Sequence, residues 1–460
     1  MTVEEIVKAV GGTLLAGNPE MMIDNICIDS REAGKGSLFV PIIGEKVDAH
    51  KFIAQVFDQG ASGVFMSHGD VTDKDKVHIL VKDTVKALGM LGAYYRRKFT
   101  MPIVGITGSV GKTSTKEMIS AALETGFCTM KTAGNQNSQI GVPLTLFRME
   151  KNQEMAVIEM GISEFGEMDN LVHFVEPDVA VVTNIGEAHI AQFGKKEHTM
   201  EEKLKIGMHF TEKNRMFLNG DDPMLREAAK TMKCPVTLFG TDPSCDYYAE
   251  NIHIKDGKNC FTLVCPDGKE EITIQQLGTH NVLNGLVAVA VAGYFGIKPS
   301  DAAKGLEKYE GLPMRQQINH LANGIKVIDD TYNASPASVK SGIDVLVQLD
   351  NPGRKIAVLG DILELGEISW QCHYDTGMAI SDRPIQMVVT VGQEMKALAK
   401  AIIDSGAGIA VCSFDSNSEA IGWLLENITA GDAIFVKGSR GMHEEEVVKA
   451  LREKYAIKQE

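Results

Sequence analysis

A short apolar strand that gives way to glycine, then to a lysine and a hydroxyl at the head of a helix, constrains this chain more than any other stretch. Residues Ile103 to Ser114 read Ile-Val-Gly-Ile-Thr-Gly-Ser-Val-Gly-Lys-Thr-Ser. A strand that feeds a helix through a glycine turn is half of a βαβ unit, so its neighbours belong in a parallel sheet with helices on its faces. The turn also has a chemistry. Gly108 and Gly111 let backbone N–H groups face inward, together with those of Ser109 and Val110; Lys112 supplies a point charge for β- and γ-phosphates; and the Thr113 hydroxyl, followed by Ser114, can hold Mg²⁺. The spacing predicts a helix over 113–124 with Met118, Ile119 and Leu123 on one face, its positive end toward the anion. Ile106 stands where the longer phosphate-loop pattern has its first glycine, so the match is a shortened form.

The rest of the chain extends the same pattern. Buried-type strands at Ile103–Thr107, Ala156–Glu159 and Val179–Asn184 alternate with helical stretches up to about Leu312, which predicts a mainly parallel sheet. A polar insert at about 242–271 reads as extra antiparallel strands. Beyond Gly311-Leu312-Pro313 the pattern restarts at 326–329, 355–359, 387–391 and 433–436, a second doubly wound sheet. Ahead of both lies a small α/β unit ending in a helix within 82–98. The expected architecture is α/β in three domains: a substrate-binding unit at 1–98, a central phosphate-loop domain at 99–313 and a Rossmann-like domain at 314–460. A length of 460 residues suits three such units.

Composition removes several classes of function. The net charge is −15, against general affinity for nucleic acid or anionic lipid. No apolar run reaches spanning length and the start carries no basic-then-apolar leader, so the expected location is cytoplasmic, with no membrane insertion. Eight cysteines without a C-x-x-C pair indicate neither a disulfide framework nor a zinc ribbon.

In open parallel sheets ligands bind beyond the carboxyl ends of strands, which singles out certain polar residues. Glu159 ends one strand and can ligate Mg²⁺ or merely cap and solvate. Thr183-Asn184 ends another, with His189 five residues on, although a lone histidine there is also a common surface or core residue. Asn135 and Asn137 lie in an amide-rich loop that orients a polar substrate or forms a plain turn. His280, Asn281 and Asn284 cluster at a helix start, where they read an adenine edge or cap the helix. Asp329 to Pro336 and Lys437 to Gly441 are two more strand-tip loops.

Taken in this order, these segments resemble the Mur ligase family, ATP-dependent amide-bond formers of bacterial cell-wall precursor synthesis. The resemblance covers essentially the whole chain. It is most specific in Asp29-Ser30-Arg31 with Gly44 to His50, in Gly134-Asn135-Gln136-Asn137 with Ile140 to Thr145, and in Asp329 to Pro336. These segments are similar to the branch that adds D-alanyl-D-alanine to a UDP-N-acetylmuramoyl-tripeptide, and the Asp-Asn-Pro-Arg segment usual in the diaminopimelate- or lysine-adding branch is not found. The family's shorter loop, Thr-Gly-x-x-Gly-Lys-Thr, also accounts for Ile106.

The resemblance implies roles. Gly108 to Ser114 cradle ATP, and Thr113, Glu159 and His189 surround Mg²⁺. Asn281 and Asn284 face the adenosine, Arg315 reaches the phosphates and Asp330 lies near the ribose. Ser30, Arg31, Gly44, Lys46 and His50 hold the UDP end of the donor, and Asn135 and Asn137 line the cleft near its peptide. Lys203 occupies the place of a lysine that relatives carbamylate, with Glu202 where alanine is usual and Lys205 where an acid is usual. Lys112, Glu159, His189 and Lys203 are the expected catalytic set. The expected partners are the nucleotide-linked tripeptide and the dipeptide, acting on a monomeric chain.

Overall fold

The structure, a computed structural model, describes residues 1–187 and 190–457, so His189 lies outside the described residues. Three sheets follow one another along the chain. The first has five strands in the order Thr13–Ala16, Val77–Leu80, Gly63–Met66, Ser37–Phe39, Asn25–Cys27, all neighbours parallel except the first pair. Its leading helix, Val3–Val10, starts at a capping box formed by Thr2 and Glu5 and ends on left-handed Gly11.

The helix Thr84–Arg96, capped by Asp83, carries the chain into the central unit and packs on both sides. Leu88 and Leu91 enter the first core, while Ala93 enters the core beneath the second sheet. Two glycines make that approach close. A Cβ at Gly89 would overlap the Phe174 ring at 2.1 Å, and one at Gly92 would press on Pro143 at 3.0 Å. Arg96 adds a hydrogen bond from Nε to the Val175 carbonyl.

The central sheet has nine strands. The phosphate-loop strand Ile103–Thr107 lies between Val179–Val182 and Met155–Glu159, parallel to both and fully buried, as its unbroken apolar sequence requires. The helix after the loop runs from Lys112 to Leu123 and buries Met118, Ile119 and Leu123 against the small-residue helix Thr279–Tyr294. The polar insert extends this sheet. Tyr247–Lys255 joins Val236–Gly240 in parallel, then Lys258–Cys265 and Gly268–Ile274 fold back antiparallel.

The last sheet has six strands, ordered Gln317–His320, Lys326–Asp329, Ala433–Lys437, Lys355–Gly360, Met387–Val391, Ala410–Phe414. Four match the sequence expectation; the two at the edges are additions to it. Both edge strands are partly exposed, so neither carries a continuous apolar run. The eight cysteines are all free.

Candidate active site

The phosphate loop is built from both of its ends. Gly108 has φ +144°, and a Cβ there would fall 1.9 Å from the Thr183 hydroxyl, so only glycine fits. Gly111, at φ +87°, forms the N-cap of the helix. The strand tip at 183–184 then locks the loop. Asn184 accepts from the Val110 N–H through Oδ1 at 2.9 Å and donates through Nδ2 to the Val110 carbonyl, also at 2.9 Å. Thr183 Oγ1 donates to that same carbonyl at 2.6 Å, and Ser109 Oγ accepts from the Gly186 N–H at 2.8 Å. The Ser109 N–H also donates to the Asn184 carbonyl at 3.0 Å, so the Ser109 and Val110 N–H groups, expected to face the phosphates, instead hold the loop's shape against the neighbouring strand tip.

Lys112, half-buried, donates from Nζ to the Gly108 carbonyl at 2.8 Å. Burial holds its amine below the usual range, the nearby Arg315 adds to that, and Glu159 opposes it. Glu159 is enclosed, with one per cent of its surface exposed. Its Oε1 accepts from the Thr113 hydroxyl at 3.1 Å and from Asn137 Nδ2 at 2.7 Å, and its backbone N–H donates to Thr132 Oγ1. Oε2 is buried with no hydrogen-bond partner among the described residues. An anionic oxygen left so costs several kcal/mol unless a cation meets it, and a carboxylate beside a hydroxyl is the hard-oxygen set Mg²⁺ takes.

The carboxyl-terminal unit closes the other side. Arg315 donates from Nη2 to Thr113 Oγ1 at 3.1 Å while its guanidinium lies 4.1 Å from the centre of the Tyr332 ring. Asp330 and Lys437 form a buried ion pair at 2.7 Å, and burial raises the Asp330 carboxyl above its usual range despite that pairing. All of these groups line one cavity of about 400 Å³ shared between the central and last units. Ser109 to Ser114, Asn135, Asn137, Glu159, Asn281, Asn284, Arg315 and Asp330, all singled out from the sequence, are brought together on its wall. Asn284 Oδ1 accepts from the Thr115 hydroxyl and its Nδ2 donates to Asn281 Oδ1, tying the phosphate-loop helix to the helix at 279–294. His280 turns its Nε2 to Gln316 Oε1 at 2.9 Å, and burial lowers its basicity.

Other expected residues lie elsewhere. Lys203 does not line the cavity; it is buried in the helix Lys196–Leu204, and its amine is depressed well below the usual range by burial first and by Lys112 next. The two departures beside it compensate each other. Glu202 accepts from the Gly166 N–H at 2.7 Å and pairs at 2.8 Å with Lys205, which also holds Asp169. Ser30, Arg31, Gly44, Lys46 and His50 sit on the first unit, outside this cavity. Arg31 and Lys46 are exposed. His50 is buried, with Nδ1 on Asp48 at 2.7 Å and Nε2 accepting from the Ser67 N–H at 3.0 Å, so both ring nitrogens are engaged in shaping the loop rather than turned to a ligand.

Sequence reading missed some residues. Ile362 to Leu365 line the cavity just past the strand Lys355–Gly360, where the strand-tip rule would have found them. Lys116 gave no signal. A lysine in a helix reads as solvated, yet this one is fully buried, with Nζ donating to the Thr132 carbonyl at 2.7 Å and paired with Glu117 at 2.9 Å.

A phosphate-gripping loop, an enclosed carboxylate beside a hydroxyl, and a second domain that adds arginine and lysine to the same cleft define a nucleotide-dependent enzyme working between domains. The sequence matches the Mur ligase family catalytic domain over residues 22–96, the Mur ligase middle domain over 106–292, and the Mur ligase glutamate ligase domain over 314–440. It is 38% identical to the UDP-N-acetylmuramoyl-tripeptide--D-alanyl-D-alanine ligase of Bacillus subtilis, with 98% of each chain covered, and 33% identical to that of Escherichia coli, again with 98% of each. A crystal structure of MurF from Acinetobacter baumannii superposes with a TM-score of 0.90 at 33% identity, covering 98% of both chains. The MurF ligase of Thermotoga maritima in complex with ADP gives 0.83 at 27% identity, covering 94% of this chain and 97% of that one. The chain belongs to the Mur ligase family.

Proposed function

We propose that this protein joins D-alanyl-D-alanine to UDP-N-acetylmuramoyl-tripeptide with consumption of ATP, giving the pentapeptide-linked nucleotide, ADP and phosphate in peptidoglycan precursor synthesis. The observation that carries this reading is the Glu159 carboxylate, one oxygen fixed by Thr113 and Asn137 and the other left for a cation, in a cleft walled by two domains. A carboxylate is a poor electrophile, so the donor is activated by taking the γ-phosphoryl group on its terminal carboxylate. The acceptor amine then attacks the acyl carbon and phosphate leaves. Two anions meet in the first step, and Lys112 and Arg315 supply the positive charge that lets them approach. Thr113 and Glu159, with His189 expected beside them, would hold Mg²⁺, whose charge would offset that of the phosphates.

Asn281 and Asn284 stand where the adenosine end is expected, with Asp330 toward the ribose. Arg31, Ser30, Gly44 and Lys46 are offered to the UDP end, with His50 as the pin beneath them. Lys203 acts from behind the wall. Its depressed basicity favours the neutral amine, the form that adds to CO₂ and gives a carboxylate-like group with loss of a proton.

The test is ADP release with each substrate omitted in turn, and mass analysis of the nucleotide product. The reading requires turnover that depends on all three substrates and a product heavier by one dipeptide less water. Turnover indifferent to the nucleotide-linked tripeptide and the dipeptide would leave a phosphate-loop ATPase instead.

A further inference from the structure

The loop from Lys437 to Gly441 projects into the cleft, yet the reading above uses only its first residue. It is fastened to the segment at 362–365 by a 2.8 Å hydrogen bond from the Leu363 N–H to Ser439 Oγ, and both segments line the cavity. Between them lies the Leu363 side chain, the apolar surface at this point. A Cβ at Gly441 would fall 3.0 Å from Leu363 Cδ1, and Leu363 is 42% exposed. Such a surface suits methyl-sized side chains.

A dipeptide acceptor brings a free carboxylate into a cleft already crowded with phosphate and donor carboxylate, so it needs a cation of its own. Four lysines and arginines among the described residues line the cavity: Lys112, Arg315, Lys437 and Arg440. Lys112 lies on the phosphate loop. Arg315, with Nη2 on Thr113 and its guanidinium over the Tyr332 ring, is already assigned to the phosphates. Lys437, 3% exposed, directs Nζ to Asp330 Oδ2, the Asp330 carbonyl and the Asn333 carbonyl, which accounts for its three donors. Arg440 remains. Its side chain is 55% exposed, and it is steadied from behind by Glu445, 3.1 Å from Nη1, with Met314 Sδ at 3.9 Å from the same nitrogen. Its backbone N–H donates to Asn333 Oδ1 at 3.3 Å. A guanidinium has five N–H donors in a planar fork, so engaging Nη1 leaves donors for a carboxylate.

We propose that Arg440 anchors the carboxy-terminal carboxylate of the acceptor dipeptide, with Leu363 and Gly441 beneath its methyl groups. This rests on the ligase reading above and names the acceptor subsite within it. The test compares D-alanyl-D-alanine with D-alanyl-D-alaninamide, which lacks the terminal charge, in the unsubstituted enzyme, Arg440→Met and Arg440→Lys. The unsubstituted enzyme should show a KM at least tenfold higher for the amide. Arg440→Met should raise the KM for the free acid by roughly 10- to 100-fold, the range of a lost charged hydrogen bond, and leave acid and amide equivalent. Arg440→Lys should fall between, and the KM values for ATP and nucleotide-linked tripeptide should stay within twofold. Discrimination against the amide that survives in Arg440→Met, or an effect confined to the ATP KM, overturns the proposal while ligation stands. Absence of any dipeptide-dependent turnover in the unsubstituted enzyme overturns the ligase reading, and this assignment with it.

Discussion

Glu159 and Glu444 are both enclosed carboxyls, and what surrounds each decides its use. Glu159 receives two donors on one oxygen, and the other, buried and unbonded among the described residues, is where we place the cation. Glu159→Gln is therefore expected to lower kcat/KM by roughly a hundredfold and to raise the Mg²⁺ concentration for half-maximal rate, read from a Mg²⁺ titration of product formation. Glu444 is fully buried against the main chain at Gly360 and Gly438, with neither oxygen bonded among the described residues, and burial with help from Asp361 pushes its carboxyl up to about 8. The folded protein keeps that proton while the unfolded chain gives it up near 4.5. Its contribution to stability is thus lost as pH rises from about 4.5 to 8, on the order of 4–5 kcal/mol in total. Urea unfolding at pH 5.5 and pH 8.5 should show a larger fall for the unsubstituted protein than for Glu444→Leu. Lys112→Ala should cut turnover by roughly a thousandfold in a coupled ADP assay, since it removes the cation carried by the loop itself and leaves Arg315 to act without it.

At the scale of elements, the phosphate loop is a clamp made by two strand tips rather than a free turn. Gly108→Ala puts a methyl group into the Thr183 hydroxyl at a φ that L-residues avoid. It should destabilise the protein by about 2–3 kcal/mol and weaken ATP-analogue binding, checked by thermal unfolding and by calorimetry. This scale also shows what the sequence could and could not tell. Ile103–Thr107 and Val179–Val182 are buried on both faces, so they read as continuous apolar runs, and the ligand-bearing tips follow directly from them. Gln317–His320 and Ala410–Phe414 form the sheet edges, where half-exposed positions erase the signal. The burial of Lys116 and Lys203 was hidden for another reason: it comes from elements that pack over them, which no local pattern records. His50 was expected at the UDP end from the resemblance, and only tertiary contacts reveal that both its nitrogens are engaged.

Across the whole molecule, the last unit is joined to the rest by a strained connector and an apolar seam. Met314 and Gln316, on either side of Arg315, have φ of 60° and 54°, which costs non-glycine residues about 1 kcal/mol each. Ile190 and Leu277 of the central unit pack into the core of the last one. A nucleotide bridging Lys112, Arg315 and Asp330 should tighten both walls together. Hydrogen exchange with a nonhydrolysable ATP analogue is expected to slow about tenfold or more at 108–114 and also at 330–336; protection confined to the first segment would contradict joint closure.

The first two units meet in close packing. Gly89 and Gly92 bring the helix Thr84–Arg96 directly against Phe174 and Pro143, so the unit carrying Arg31 and Lys46 is seated on the one carrying Glu159. With the sugar-nucleotide held at Arg31 and Lys46, as proposed above, such a span would work as a gauge: a peptide one residue too short would leave its carboxylate out of reach, and one too long would overshoot. Length as well as side-chain chemistry would then select the donor.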